Sequence, residues 1–174
     1  DGERGVVTGG RDPAGLSTIE SFMIASKGDV SGDFGDLTQV RCNGFGVANS
    51  TRGVWGGGNP DISPLNYSNT MDYVTIASQG VHAQDFGNLS VARESPFGCA
   101  SSVRGIVAGG FNPTKQSSID YITLSSQGDA QDFGDMTSAT DNAGMASNST
   151  RGIFGGGRTP SSTGLITIEF ITIA

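Results

Sequence analysis

The apolar residues of this chain fall in short runs, and no run has helical spacing. A pair of large apolar residues follows Arg-Gly and precedes a Gly-rich stretch four times: Val6-Val7, Val54-Trp55, Ile106-Val107 and Ile153-Phe154. A longer run occupies residues 19–24, 71–76, 119–124 and 168–173, each with one acid in second place: Glu20, Asp72, Asp120 and Glu169. These runs are β-branched and aromatic, and both alternating sets of positions are largely apolar. They predict strands covered on both faces. A third element is Asp-Phe-Gly, at 33–35, 85–87 and 132–134, followed by Leu37, Leu89 or Met136. A fourth is built of small residues: Gly46-Val47-Ala48, Gly98-Cys99-Ala100 and Gly144-Met145-Ala146.

Between the strands stand turn formers. Asp12-Pro13, Asn59-Pro60, Asn112-Pro113 and Thr159-Pro160 follow the Gly-rich stretches, and Lys27-Gly28, Gln79-Gly80 and Gln127-Gly128 follow the acid-bearing strands. Arg4, Arg52, Arg104 and Arg151 are separated by steps of 48, 52 and 47 residues. The chain therefore reads as one domain, residues 1–174, of repeats 4–51, 52–103, 104–150 and a partial 151–174. Four-stranded antiparallel units of this length predict an all-β protein, a β-propeller of about three and a half blades. A β-solenoid is the rival, but its rungs are shorter and carry no Asp-Phe-Gly hairpin. The partial last repeat is expected to lack its Asp-Phe-Gly and small-residue strands. Residues 168–174 and the first Arg-Gly strand are then open surfaces. The chain is expected to be part of a larger propeller, completed by further sequence or another chain. Asp1 or Glu3 would partner Arg151 if the ring closed within one chain.

The Gly pair, the following aromatic-bearing strand and the short outer strand resemble the Kelch family of propellers. The Gly pair matches in all four copies. Tyr73 and Tyr121 match the Kelch Tyr, with Phe170 in the last copy and Ser21 in the first. The outer Trp of that pattern has no match, and Phe34, Phe86 and Phe133 lie near its place. The wording Arg-Gly-x-x-Gly-Gly-Gly, Asp-Tyr-x-Thr-Ile-Ala-Ser and Asp-Phe-Gly-Asp-Leu is similar to Kelch-like repeats in structural proteins of tailed phages, marine cyanophages especially. That resemblance implies a non-enzymatic structural or adhesive virion protein of tail, fibre or capsid decoration. Its partners would be other virion proteins or a host-surface glycan or protein. The alternative is a secreted, extracellular carbohydrate-binding propeller module or lectin.

Composition narrows the chemistry. The formal charge is −7 over 174 residues, which argues against a nucleic-acid groove or a polybasic membrane patch. No run of 18 apolar residues offers a membrane span. The Gly-rich stretches precede strands and lack a following Lys-Ser/Thr, so they are not phosphate loops. His82 is the single His and reads as a turn residue. One His and two Cys at non-equivalent places build no standard zinc site. Cys99 replaces Val47 and Met145 and reads as a core residue, while Cys42 falls in a loop and a disulfide is not expected. No catalytic group and no cofactor are expected.

The remaining repeated polar residues read as structural. The four strand acids are expected to accept N–H groups from the Gly-Gly and loop backbone. Arg4, Arg52, Arg104 and Arg151 are expected to pair with Asp33, Asp85 and Asp132, within a repeat or across to its neighbour. Trp55 takes the place of Val7, Val107 and Phe154 and is expected to be buried between repeats. Binding is expected on the irregular loops after the Gly-rich stretches, which leave from one end of every repeat. The candidates are Asn59, Asp61, Tyr67, Asn69, Phe111, Lys115 and Arg158, with the longest loop, 59–70, favoured.

Overall fold

A computed structural model describes residues 3–25, 32–62, 65–78, 80–161 and 164–173. The expected turn at Lys27-Gly28, Gln79 and the proposed stand-in Asp1 lie outside these residues, as does the side chain of Asp61. Among the described residues there is no helix. The strands are β1 (Arg4–Thr8), β2 (Leu16–Met23), β3 (Gly32–Arg41), β4 (Phe45–Ala48), β5 (Arg52–Gly56), β6 (Asp61–Ile62), β7 (Leu65–Asn66), β8 (Thr70–Thr75), β9 (Gln84–Asn88), β10 (Phe97–Ala100), β11 (Arg104–Ala108), β12 (Ser118–Thr123), β13 (Gln131–Asp135), β14 (Gly144–Ser147), β15 (Arg151–Gly155) and β16 (Ile168–Thr172). They form four antiparallel sheets in chain order: β1-β2-β3, β4-β5-β8-β9, β10-β11-β12-β13 and β14-β15-β16. The short hairpin β6-β7 decorates the loop after the second Gly-rich stretch.

The sheet boundaries differ by one strand from the sequence repeats. Each small-residue strand pairs with the Arg-Gly strand that follows it, as Phe45↔Gly56 through Ala48↔Gly53. The cause is a tight side-chain-capped turn. Asn49 Oδ1 accepts the N–H groups of Thr51 and Arg52, and Asn148 Oδ1 those of Thr150 and Arg151. Ser101 Oγ does the same for Val103 and Arg104. Such Asx and Ser turns fold the chain directly back on itself. Among the described residues the fourth sheet therefore keeps its small-residue strand, β14, without an Asp-Phe-Gly strand, and the first sheet has no small-residue strand.

The acid-bearing strands carry a bulge beside the acid, between Ile19 and Glu20, Met71 and Asp72, and Ile119 and Asp120. The residues opposite are Gly35, Gly87 and Gly134, all at φ between 130° and 137°. A Cβ on Gly87 would meet the Gly128 carbonyl oxygen at 2.4 Å, so only Gly lets the next repeat's hairpin approach.

Hydrophobic side chains lie between the sheets. Ile19, Phe34, Leu37 and Val74 join the first sheet to the second. Phe45, Val54, Phe86, Val107 and Leu124 join the second to the third. Phe97, Ile106, Met136, Phe154 and Ile173 join the third to the fourth. No such cluster joins the first sheet to the fourth among the described residues.

Trp55 lies between the first and second sheets but is only half-buried. Its ring is laid over Gly53 and Gly46, where a Cβ would meet ring atoms at 2.4 and 3.0 Å. The full burial expected from Val107 and Phe154 is not reached, for a definable reason. Phe154 packs against Phe97 of the small-residue strand β10, with ring centroids 6.1 Å apart. The first sheet has no such strand to cover Trp55. Trp55→Ala is therefore expected to cost about 2 kcal/mol, below the ~3–5 kcal/mol of a fully enclosed aromatic. A urea melt checks it, and a loss near zero would refute the packing.

Candidate functional site

The repeated polar residues tie one sheet to the next. Asp33, Asp85 and Asp132 do not turn to the Arg residues. Each accepts the N–H of its own repeat's Gly two residues on, at 3.0, 3.3 and 3.1 Å. Two of the Arg side chains instead reach the following sheet. Arg4 Nη1 donates to the Ile76 carbonyl and Arg52 Nη1 to that of Leu124, both at 2.8 Å. The guanidinium groups of Arg52, Arg104 and Arg151 lie over the rings of Tyr73, Tyr121 and Phe170 at 4.4, 4.9 and 4.8 Å. The Arg–Asp pairing expected from sequence is thus replaced by local caps and by carbonyl and cation–π contacts. A carboxylate already held by its own turn has less to gain from a distant guanidinium.

The strand acids take a different partner from the expected Gly-Gly backbone. Asp72 accepts from Arg41 Nη2 at 2.7 Å and from the Thr38 hydroxyl. Asp120 accepts from Arg93 Nη2, from the Ser90 hydroxyl and from Ser90 N–H. Both pairs are enclosed, Arg93 at 0% exposure and Asp120 at 1%. Arg41 Nη1 also donates to the carbonyls of Gly57 and Thr70, and Arg93 Nη1 to those of Gly109 and Ser118. Each guanidinium thereby closes the end of the neighbouring sheet's central hairpin. Burial pushes both guanidinium pKa values down from the usual range, opposed by the charge and hydrogen bond of the partner Asp. The third interface uses another solution. Thr140 stands in the Arg position, and the longer Glu169 accepts the Thr137 N–H and hydroxyl. Loop backbone does contribute here, as expected, but the Arg donors were absent from the sequence reading. Their signal was present: Arg41 and Arg93 each lie eight residues after the Asp of Asp-Phe-Gly.

Loops of neighbouring repeats are tied at one end by backbone bridges Cys42↔Asn59, Glu94↔Phe111 and Asp141↔Arg158. The candidate residues divide across this face. Asn59 is buried at 1% exposure, and its Oδ1 accepts the Asn66 N–H, so it is a scaffold residue and not a contact residue. Asp61 starts the β6-β7 hairpin. Tyr67 meets Phe111 of the next repeat edge-on, with centroids 5.9 Å apart, and Asn69 is exposed nearby in sequence. Lys115 and Arg158 converge on the buried Asp141, at 2.7 and 3.3 Å. Lys115 is mostly enclosed by this pairing, whereas the Arg158 side chain remains 60% exposed.

His82 is exposed, and its Nδ1 accepts the Asp36 N–H at 3.1 Å across the first two sheets. Among the described residues no three His, Cys, Asp or Glu side chains gather into a metal-binding group. Cys42 and Cys99 are both free and buried; Cys42 is enclosed beside Asn59 although its segment is a loop. Burial raises the Cys99 thiol pKa, partly offset by Ser147. Cys99 is accordingly expected to resist alkylation at neutral pH in the native protein and to react fully in denaturant, which mass spectrometry reads directly.

No family model and no curated protein matches this chain. Among solved structures it is similar to one described as the structure of YjhT, with TM-score 0.70 and 11% identity. The match covers 90% of this chain and 48% of that one, so the chain spans about half the length of that relative. At this identity the likeness speaks to fold alone.

Proposed function

We propose that this chain is a Kelch-like β-propeller segment acting as a non-enzymatic structural or adhesive component of a phage virion. The observation carrying this reading is the division of labour among polar residues. Arg4, Arg41, Arg52, Arg93, Asp72, Asp120 and Glu169, repeated or in matching places, are engaged in holding sheet to sheet. The loops at one end carry side chains without a counterpart in the other repeats, Tyr67, Asn69 and Phe111, together with Arg158, which matches Arg11. A regular scaffold with variable loops suits display to a partner, another virion protein or a host-surface glycan or protein. The four-sheet repeat, the Gly pair and the phage-like wording of the repeats support propeller, Kelch and virion in that order. The direct test is immunogold labelling of purified particles with antibody to the chain. Label on tail, fibre or capsid supports the reading, and its absence from particles that contain the encoding genome rejects it.

A secreted carbohydrate-binding module is the second reading. It is favoured by the Tyr67–Phe111 edge pair, an aromatic feature on the loop face that suits stacking on a sugar. A glycan array separates the two. Saccharide binding lost in Tyr67→Ala, by a protein absent from particles, would support the module.

A further inference from the structure

The two end sheets leave opposite faces uncovered, and these faces match. Within the chain, each sheet meets the next through one forward face and one backward face. The forward face carries the third residue of the Arg-Gly strand and the first and third residues of the acid-bearing strand. Val54, Met71 and Ile106 hold such places at 0% exposure and Ile119 at 2%. In the fourth sheet the equivalent Ile153 and Ile168 are 46% and 78% exposed, and Phe170, whose counterparts Tyr73 and Tyr121 are half-buried, is 63% exposed. The backward face carries the fourth residue of the Arg-Gly strand and the acid itself. Val107 and Phe154 hold that place at 0% and 6%, while Val7 of the first sheet is 45% exposed. Asp72 and Asp120 are enclosed, and Glu20 is exposed.

We propose that the fourth sheet of one copy stacks head to tail on the first sheet of a second copy. The occupant is argued from continuity with the interface that the chain already makes three times. A second copy supplies the missing backward face, with Val7 and Phe22 in the places of Val107 and Ile122. The polar edge is complementary too. Arg4 and Arg52 donate to the carbonyls of Ile76 and Leu124, the sixth residue of the next acid-bearing run. Arg151, stacked on Phe170, stands in the donor's place in the fourth sheet. Ile24 stands in the acceptor's place in the first. Large exposed apolar side chains clustered on one sheet face mark an interaction surface. The contact is heterologous, so each copy uses two different patches. It is independent of what the loops bind.

The test is sedimentation velocity up to about 1 mM protein, the weak end of specific association. It is run with enough salt to screen the repulsion between copies of formal charge −7. The wild-type mass is expected to rise with concentration to at least twice 17.8 kDa. Ile168→Glu blocks the fourth sheet and Val7→Glu the first. Both side chains are exposed, so the monomer fold should survive, which a circular dichroism melt checks. Should Ile168→Glu fail to fold, Phe170→Ser blocks the same face. Each variant alone is expected to stay at 17.8 kDa. An equimolar mixture of a first-sheet and a fourth-sheet variant should regain dimers through the one intact pair of faces. A wild type that remains monomeric overturns the proposal. So does a single-face variant that associates like wild type, or a mixture that stays monomeric.

Discussion

Arg93→Ala is expected to destabilise the protein by about 3–5 kcal/mol, the cost of breaking one partner from an enclosed ion pair. Asp120 would keep the Ser90 hydroxyl and N–H but lose its guanidinium while remaining enclosed. The carbonyls of Gly109 and Ser118 would lose a donor in the same step. Arg41→Ala should behave alike, through Asp72, Gly57 and Thr70. Neutralising the stranded acid, as Asp120→Asn in the Arg93→Ala background, should recover part of the loss. The uncompensated charge is the larger part of the penalty. Chemical denaturation of the three variants reads this directly. An Arg93→Ala midpoint equal to wild type would mean that the pair does not hold the second and third sheets.

The same pair marks where sequence reading reached and where it stopped. Strand positions, the Gly-rich turns and the inter-sheet apolar runs were legible, because each depends on periods of two and on local turn chemistry. The partner of Asp72 was not, because Arg41 is 31 residues away and in a different sheet. The Arg-Gly motif drew attention by its regularity, yet Arg4 and Arg52 reach backbone carbonyls 72 residues on. Backbone acceptors leave no trace in side-chain identity. Thr140 further disguises the pattern, since the third interface drops the Arg donor and keeps only the hydroxyl and N–H contact, Thr137 to Glu169, that Ser90 also makes to Asp120. The pairing of each small-residue strand with the Arg-Gly strand after it was legible in Asn49, Ser101 and Asn148. Their turn-capping chemistry makes each neighbouring pair a hairpin. Asn59 was misplaced on the contact face because an Asn-Pro turn reads as solvent-exposed. Its backbone is in fact pinned to Cys42 by two hydrogen bonds.

Phe86→Ala and Phe133→Ala remove the same ring from the same Asp-Phe-Gly motif, yet unequal losses are expected. Phe86 is 2% exposed, among Leu124 of the third sheet and its own sheet's Tyr73, whose ring meets it edge-on at 6.0 Å. The third repeat's hairpin closes over it: Gly128 N–H donates to the Phe86 carbonyl at 2.7 Å and Ala130 N–H to that of Asn88 at 2.8 Å. Phe133 has the matching edge contact with Tyr121, at 6.2 Å, but is only half-buried. The covering hairpin belongs to the acid-bearing and Asp-Phe-Gly strands of the following sheet, and no described strand follows β16. Truncating an enclosed Phe costs ~3–5 kcal/mol, because transfer and cavity terms add. At the half-open Phe133 site water already reaches the ring and no sealed cavity forms, so about 1–2 kcal/mol is expected. Flanking Asp and Gly are identical in the two motifs, so the comparison isolates the contribution of the next sheet. Equal losses in parallel urea melts would show that burial at this position is set within each repeat and not by the sheet stacked upon it.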